Sequence, residues 1–561
     1  MSAPAAATPD PFTAEVVKGA LTSLADEMAV SVLRTAHSEV IRDTMDFSTA
    51  IFDGRGQLVA QGLTLALHLG AMPDALAAVR TKFEGDIHPG DVFVLNDPDE
   101  GGMHLPDVFV FKPVFAGGRP YAWTGCIAHH VDMGGRAAGS NAVDSREIFE
   151  EGLQIPALKL YDRDRVNDTL VQILRKNVRP PEIVLGDLRA QLAACHFATQ
   201  GLERLAARYG VDVVEGLMDE VLDHAERVAR AELRAVPDGV YRFRDRIDDD
   251  GFGSGPIDIA VVVTARMDEV VVDLTGSSPQ VDSALNSTAS FTRAAVYTAL
   301  LAALGSAELA SNAGFYRPIT VVVPEGTILN ARRPAARAAR ALTGFRVIDA
   351  VLGALHEALP ERVPAAGEGG VTMISFGSRG SGGDSGVFVE FVSGSWGGGP
   401  HGDGIDATSP LGGNCSNVPV EMLEMHHPIR VETYGFVPNT GGPGANRGGL
   451  SIVRELRFLG ERGVLQVRSD RRRFPPYGLA GGLPGSPSQN TLNPGAPDEE
   501  TLPTKFTRVL GPNDVFRHVT AGGGGFGDPA RREREAVLAD LLDGKVDAAH
   551  ARDAYGLNAD V

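Results

Sequence analysis

The sequence predicts an α+β fold, mixed and loop-rich, in which several short-stranded sheets pack with helices. Three observations carry the prediction. Apolar residues make up 43 % and charged residues 22 % of the 561 positions, an ordinary globular balance with enough apolar side chains for a large core. Glycine is unusually frequent, with 67 residues, or about 12 % against a usual ~7 %. It clusters at Gly397-Gly398-Gly399, Gly441-Gly442, Gly448-Gly449, Gly481-Gly482 and 522–525, without the period of collagen, and such clusters mark tight turns and close backbone approach. Finally, segments of helical periodicity are interspersed with short β-rich runs.

The elements follow in order. Residues 14–40 set Val16, Val17, Leu21, Leu24, Met28 and Val32 near helical spacing, with Thr13 at the cap position. Residues 47–52 form a strand, Asp53-Gly54-Arg55-Gly56 a turn, and 57–61 the returning strand. A loop at His68-Leu69-Gly70 precedes a helix over 72–83, and 92–96 is a buried strand by composition. Strands over 108–115 and 121–128 flank the turn Gly117-Gly118-Arg119-Pro120. Residues 186–236 are mostly helical, with a break at Tyr209-Gly210. After Pro237-Asp238-Gly239, strand runs at 257–263, 269–274 and 319–323 surround a helix near 292–304, and a further helix covers 343–358. Strands and glycine-rich loops run to about 527, before a charged helical tail over 531–555. These changes of texture predict an N-terminal domain of residues 1–238, a middle α/β domain of 239–345 and a glycine-rich C-terminal domain with a helical tail, 346–561.

Charge narrows the function classes. Lys+Arg number 52 against 72 Asp+Glu, for a net charge of -20, which disfavours nucleic acid and anionic membranes as partners. The longest uncharged apolar stretch, 294–307, is shorter than the ~20 residues that span a bilayer. The start, MSAPAAATPDPF, has no basic region followed by an apolar one, so no signal peptide is expected. Cys126, Cys195 and Cys415 are far apart and odd in number, with no CxxC. The pattern predicts a reducing cytoplasm and neither a disulfide framework nor a zinc ribbon.

The most informative segment, 96–135, contains His104, Asp107, His129, His130 and Asp132. Neutral imidazole nitrogen and carboxylate oxygen suit zinc, manganese or iron. Pro106 excludes a helix between His104 and Asp107, so both lie where a loop enters a strand. A turn centred on Gly118 sets Asp107 opposite His129, at the ~5 Å of a cross-strand pair. A slip of one residue brings His130 there instead. His129 and His130 point to opposite faces, so one is a ligand and the other supports it or acts on substrate. His104 reaches the same point from its loop, which Gly101-Gly102 allow to fold tightly. The alternative is a set of polar loop residues with satisfied hydrogen bonds.

Other motifs carry less. There is no GxxxxGK[ST], and Gly442-x-Gly444 lacks a strand–helix unit with a ribose acid. Residues 522–525 read as support for tight turns. Ser140 and Ser145 lack a GxSxG elbow. His426-His427, beside Glu421 and Glu424, read as packing or interface rather than a second metal site. Arg471-Arg472-Arg473 read as a solvated or partner-facing patch or a phosphate binder, and Cys126 as packing.

The motifs, taken together, resemble the hydantoinase B family, the HyuB-type subunit of ATP-dependent N-methylhydantoinases, oxoprolinases and lactamases, related to a subunit of acetone and acetophenone carboxylases. The resemblance rests on Asp46-Phe47-Ser48, His68-Leu69-Gly70-Ala71-Met72-Pro73, Asn96-Asp97-Pro98, Gly101-Gly102-Met103-His104-Leu105-Pro106-Asp107 and His129-His130-Val131-Asp132-Met133-Gly134-Gly135. It continues through Glu151-Gly152-Leu153-Gln154-Ile155-Pro156, Asn177-Val178-Arg179, Gly186-Asp187-Leu188-Arg189-Ala190-Gln191, Asn417-Val418-Pro419-Val420-Glu421, Arg447-Gly448-Gly449-Leu450 and Gly522-Gly523-Gly524-Gly525-Phe526-Gly527-Asp528-Pro529. Many relatives have proline where this chain has Ala138, in a loop expected to shape the substrate pocket.

The resemblance implies a metal-dependent hydrolytic subunit of an ATP-dependent cyclic amide hydrolase, acting on a hydantoin, N-methylhydantoin, oxoproline or lactam. A HyuA-like partner chain binds ATP and phosphorylates the carbonyl oxygen, in a hetero-oligomer. A divalent metal, manganese or zinc or else iron, is expected on His104, Asp107 and His129, with Asp46 as fourth ligand. His130 or Asp132 would act as general base or orient a ligand. Two alternatives are a subunit of an ATP-dependent ketone carboxylase, marked by bicarbonate dependence and a third small subunit, and a non-catalytic scaffold for the ATP-binding chain, which predicts no metal.

Overall fold

The computed structural model describes residues 11–62, 65–306, 308–370, 372–379 and 385–557; most of the chain start read for a signal peptide, residues 1–10, lies outside them. The architecture is α+β, with sheets of seven, four, four and five strands among the described residues. No described helix is long and apolar enough to cross a membrane.

The seven-stranded sheet carries the candidate site. Its strands are β1 (Phe47–Asp53), β2 (Leu58–Gln61), β3 (Val92–Leu95), β4 (Asp107–Ala116), β5 (Arg119–His129), β6 (Leu158–Asp162) and β7 (Arg165–Val166). Their spatial order is β2-β1-β5-β4-β3-β6-β7, every neighbouring pair antiparallel. The central strands are buried on both faces, which is why they read as apolar runs rather than alternating patterns. On one face lie the mutually packed helices Pro11–Thr35 and Pro181–Tyr209, where Thr124 Oγ1 donates to the Cys195 carbonyl at 3.2 Å. The other face receives the helix Met72–Lys82; a Cβ on Gly125 would lie 2.9 Å from both Met72 and the Phe111 ring.

The expected helix over 14–40 is two. The first ends at Thr35, and a four-residue helix, Glu39–Arg42, follows. Asp187 Oδ1 accepts from the backbone N–H groups of His37 and Ser38 at 2.7 and 3.0 Å, fixing the corner, and Ser38 caps the second helix. Thr13 lies inside the first helix rather than capping it. The break at Gly210 is where it was expected, at φ 89 between helices ending at Tyr209 and starting at Val211. The Asn167-capped helix Asp168–Asn177 and the strand Gly239–Ile247 were not singled out from the sequence.

The middle sheet comprises Gly239–Ile247, Ile257–Arg266, Glu269–Asp273 and Ile319–Val322. The last two pair in parallel, with helix Ala289–Leu304 in the crossover. One apolar core runs from Val17 to Phe391, and a second, from Ile374 to Phe516, fills the C-terminal sheets. Ionic contacts cross between them: Arg346 Nη2 bonds Asp470 at 2.6 Å, and Lys505 bonds the other Asp470 oxygen at 3.3 Å. Arg471 joins Asp245 at 3.1 Å and Asp349. Arg471 is therefore buried, unlike the solvated patch its sequence neighbours promised. His426 and His427 both clasp Glu39, at 2.5 and 3.0 Å, as packing.

Residues 522–525 correct the turn reading. None has positive φ. They form an extended segment bonded on all sides: Gly398 N–H donates to Gly524 O, Gly442 N–H to Gly523 O, and Gly525 N–H to Leu483 O, each at 2.8 Å. A Cβ at 522, 523, 524 or 525 would lie 1.9–2.2 Å from the carbonyl oxygens of Thr440, Trp396, Tyr477 and Pro443 respectively. The requirement is close backbone approach, not a turn.

Candidate functional site

Strand parity determines which histidine faces which way. Along β5 and the residue that follows it, His130, Ala128, Cys126 and Thr124 alternate with His129, Ile127 and Gly125. The first set meets the helix Pro181–Tyr209: His130 Nε2 lies 3.0 Å from Gln191 Oε1, and Gln191 Nε2 donates to Val108 O at 2.8 Å. His129 points the other way, into a small cavity. There it stands in a row across three adjacent strands, since Asp107 pairs with it on one side and the His129 N–H donates to Asp46 O at 3.0 Å on the other.

The predicted pairing of Asp107 with His129 holds, by a route that spacing alone does not contain. The closing pair is Ala116 with Arg119 around the two-residue turn Gly117-Gly118, both with positive φ, 58 and 82. That turn alone would set Asp107 opposite Ala128. A bulge between Val114 and Phe115 shifts the register by one and restores His129.

His104, Asp107 and His129 are buried, and each offers one ligand atom within 4.8 Å of the others. His104 Nδ1 donates to Asp107 Oδ2 at 2.7 Å. That leaves His104 Nε2, Asp107 Oδ1 and both His129 nitrogens buried with no partner. Native interiors rarely orphan four polar atoms on three neighbouring side chains. A cation accepts lone pairs from all three side chains at once, so the donor set fits a divalent metal of the zinc, manganese or iron type. Burial, aided by Arg340, pushes the His104 imidazole down to about 3, and burial with His104 beside it holds His129 well below its ordinary value. Both are therefore neutral at pH 7, the form that binds metal. Burial by itself would raise Asp107, but Arg340 and His104 overcome it and keep the carboxyl far below the usual range.

The cavity, about 40 Å³, is lined by Asp46, His68, His104, His129, Phe291, Arg340, Phe391, Ser409, Cys415 and Arg468, among others. Asp46 is outside the three-residue group. Its Oδ1 is unpartnered although His68 Nε2 is 3.3 Å away, a distance without hydrogen-bond alignment. Burial, with Asp107 nearby, raises the Asp46 carboxyl to about 8. Burial pushes His68 down to about 4, and Ser48 Oγ holds its Nδ1 at 3.3 Å.

Neither His130 nor Asp132 lines this cavity. Asp132 Oδ1 accepts from Gly139 N–H at 3.0 Å and Arg179 Nη1 at 2.7 Å; Oδ2 accepts from the N–H groups of Gly134 and Arg179 at 3.1 and 2.9 Å. Each oxygen thus accepts two hydrogen bonds, and the four together staple the loop after β5. His130 is turned to the helix face. The sequence left these residues either role; the structure places both outside the cavity lining.

Sequence reasoning missed three contributors. Arg340 opens the helix Arg340–Leu355, contacts Asp107 and stacks 4.5 Å over Phe291. A cation at a helix N-terminus opposes the macrodipole, which was the available signal. Arg468 ends the strand Gly463–Arg468, with its Nε unpartnered and burial pushing it down to about 9. His68 was quoted within a motif but given no role.

The family model for hydantoinase B/oxoprolinase matches residues 10–529. The chain is 34% identical to the B-type chain of a putative D-/L-hydantoinase from Pseudomonas sp. (strain NS671), covering 98% of this chain and 95% of that one. It is 34% identical to the beta chain of the caprolactamase from Pseudomonas jessenii, covering 99% and 97%. The crystal structure of the ATP-dependent caprolactamase from Pseudomonas jessenii superposes with a TM-score of 0.93 at 33% identity, over 99% of this chain and 98% of that one. A nucleotide-free acetone carboxylase structure shares the fold, with a TM-score of 0.91 at 19% identity, over 98% of this chain and 80% of that one. By the extent of the family match and the identity to relatives of the same length, the chain belongs to the hydantoinase B/oxoprolinase family.

Proposed function

We propose that this chain is the metal-dependent hydrolytic subunit of an ATP-dependent cyclic amide hydrolase, working with a HyuA-like subunit that binds ATP. The observation that carries the reading is the meeting of the buried side chains of His104, Asp107 and His129, each of which also has a buried atom without a hydrogen-bond partner. The names of the relatives supply the reaction class: a hydantoinase chain, a caprolactamase chain and, at 29% identity over 40% of its length, the 5-oxoprolinase of Dictyostelium discoideum.

In this reading His104, Asp107 and His129 hold a divalent ion, manganese or zinc or else iron, with Asp46 as fourth ligand. Such an ion, when bound, supplies Lewis acidity and makes water a nucleophile at neutral pH. The chain's own residues do the rest. Asp107 fixes the His104 tautomer through Nδ1, leaving Nε2 free. Arg340 anchors Asp107. His130 and Asp132 hold the strand end and its loop from behind. Phe291, Phe345 and Phe391 line the cavity and exclude bulk water. An amide oxygen phosphorylated by the partner becomes a leaving group. Water adds to its carbon, the ring C–N bond breaks with the electron pair and a proton going to nitrogen, and a second water releases phosphate from the resulting acyl phosphate. The division of the chain at 238 and 345 belongs to the same proposal.

The test is co-expression with an ATP-binding subunit of the HyuA type, elemental analysis of the purified complex, and a screen of cyclic amides for ADP release coupled to ring opening. The expected result is stoichiometric transition metal and a ring-opened product. Ring opening by a metal-free His104→Ala complex would overturn the reading.

A further inference from the structure

A second cavity, of about 280 Å³, lies against the first. Phe391, Ser409 and Cys415 line both and form the partition. At its edge, Met45 lines the larger cavity and its neighbour Asp46 the smaller; Met45 holds φ 59 to turn the chain between them, a conformation a bulky residue adopts only when its surroundings enforce it.

The larger cavity contains an ion pair buried in its wall. Arg454 Nη2 donates to Glu390 Oε1 at 2.6 Å and Nε to Oε2 at 3.3 Å, and both side chains are 1% exposed. Tyr434 covers the guanidinium at 4.6 Å. Glu390 therefore uses one edge of Arg454. The other nitrogen, Nη1, is buried with no partner, and so is Ser409 Oγ on the partition. A buried guanidinium N–H left unmade is costly, and Arg offers only donors. A group that satisfies Nη1 is an acceptor.

Charge specifies the acceptor further. Glu390 cancels Arg454. Around the inner cavity Asp107 pairs with Arg340, and Arg468 is a further cation on the lining. A divalent ion on the three donors would add to this positive charge next to the partition, and an anion balances it. Guanidinium N–H groups, and hydroxyls beside them, are preferred donors to phosphoryl oxygens.

We propose that the outer cavity is a phosphoryl subsite, with Arg454 Nη1 and Ser409 Oγ as its donors, so that a substrate phosphorylated on its carbonyl oxygen lodges its phosphoryl group there and presents the attached carbon across the partition to His104 and His129. The proposal deepens the hydrolase reading and rests on it. It makes Arg454 and Ser409 residues that recognise the activated substrate rather than the free amide.

The experiment uses the metal-loaded two-subunit complex and three variants: Ser409→Ala, Arg454→Gln, and the double variant Glu390→Gln with Arg454→Gln, which leaves no unpaired buried charge. Inorganic phosphate binding is measured by calorimetry, and ADP released per ring opened is measured with a cyclic amide. Metal content reports that the inner site is intact. The expected result is a loss of about tenfold or more in phosphate affinity in the arginine variants, a smaller loss in Ser409→Ala, unchanged metal content, and more ADP released per ring opened. If wild type does not bind free phosphate but the variants raise the ADP-to-product ratio, the group is recognised only on the substrate, which supports the proposal. Metal-replete variants with wild-type phosphate affinity and wild-type coupling overturn it. Ring opening without metal in wild type would instead defeat the hydrolase reading, and the phosphate titration is independent of that outcome.

Discussion

Asp107 and His129 are direct cross-strand partners at the inner end of the β4–β5 hairpin, and a one-residue bulge beside the turn is what makes them so. Without it Asp107 would face Ala128, whose side chain belongs to the helix-covered face. The bulge thus sets a histidine, rather than an alanine, opposite the carboxylate.

The three donors should bind one metal cooperatively. His104→Ala and Asp107→Ala are expected to abolish metal retention through desalting, measured by elemental analysis. Arg340→Met removes the anchor of Asp107 and the cation over Phe291, and a loss of about 10–100-fold in metal affinity is expected. Retention of wild-type affinity in Arg340→Met would show that Asp107 needs no anchor.

How much of this the sequence disclosed follows from what is local. His104, Asp107 and His129 lie within one loop and one hairpin, so spacing and strand parity were enough to bring them together. Arg340 and Arg468 reach the cavity from a helix start and a strand end far along the chain, and no local pattern encodes that approach. Gly210 was legible because a glycine between two helical patterns has one reading. Residues 522–525 were misread because a glycine's neighbours across space, here Trp396 O and Tyr477 O, are invisible in sequence, whereas turns are the familiar local use of glycine.

That glycine core makes a sharp prediction. A Cβ on residue 523 would lie 2.2 Å from Trp396 O and 2.7 Å from its carbonyl carbon, backbone atoms that cannot swing aside. Gly523→Ala is expected to give insoluble or unfolded protein, or a Tm lower by many degrees. Gly402→Ala, with nothing within 4 Å, is the control and should be within about 0.5 kcal/mol of wild type. Equal soluble yield and Tm for the two variants would refute the close-approach explanation.

Asp132 separates a supporting role from a chemical one. Asp132→Asn keeps the size of the side chain but loses the charge that meets Arg179 and puts an amide donor among four donors. The expected cost is about 1–3 kcal/mol of stability, read by thermal unfolding, with metal content retained and the pH profile of ring opening unshifted. A shifted pH profile at unchanged stability would place Asp132 in the chemistry.

Glu151 gives the pH dependence. Its Oε1 accepts from the N–H groups of Arg337 and Ala338 at 2.8 and 2.7 Å, its Oε2 is buried and unpartnered, and burial raises the carboxyl from 4.5 to about 8 despite those two bonds. Between these values the folded chain keeps a proton that the unfolded chain gives up. Fewer protons on the unfolded side mean that stability falls as pH rises. The contribution is fully present below about pH 4.5 and is lost progressively up to about pH 8, on the order of a few kcal/mol at 1.36 kcal/mol per unit. Glu151→Gln keeps the accepting oxygen and has no proton to lose. Calorimetric Tm values from pH 4.5 to 8.5 should therefore show the variant gaining on wild type as pH increases, with the gap closing at the acid end. A gap independent of pH would mean that Glu151 is ionised in the folded chain, with its second oxygen meeting a charge the fold supplies.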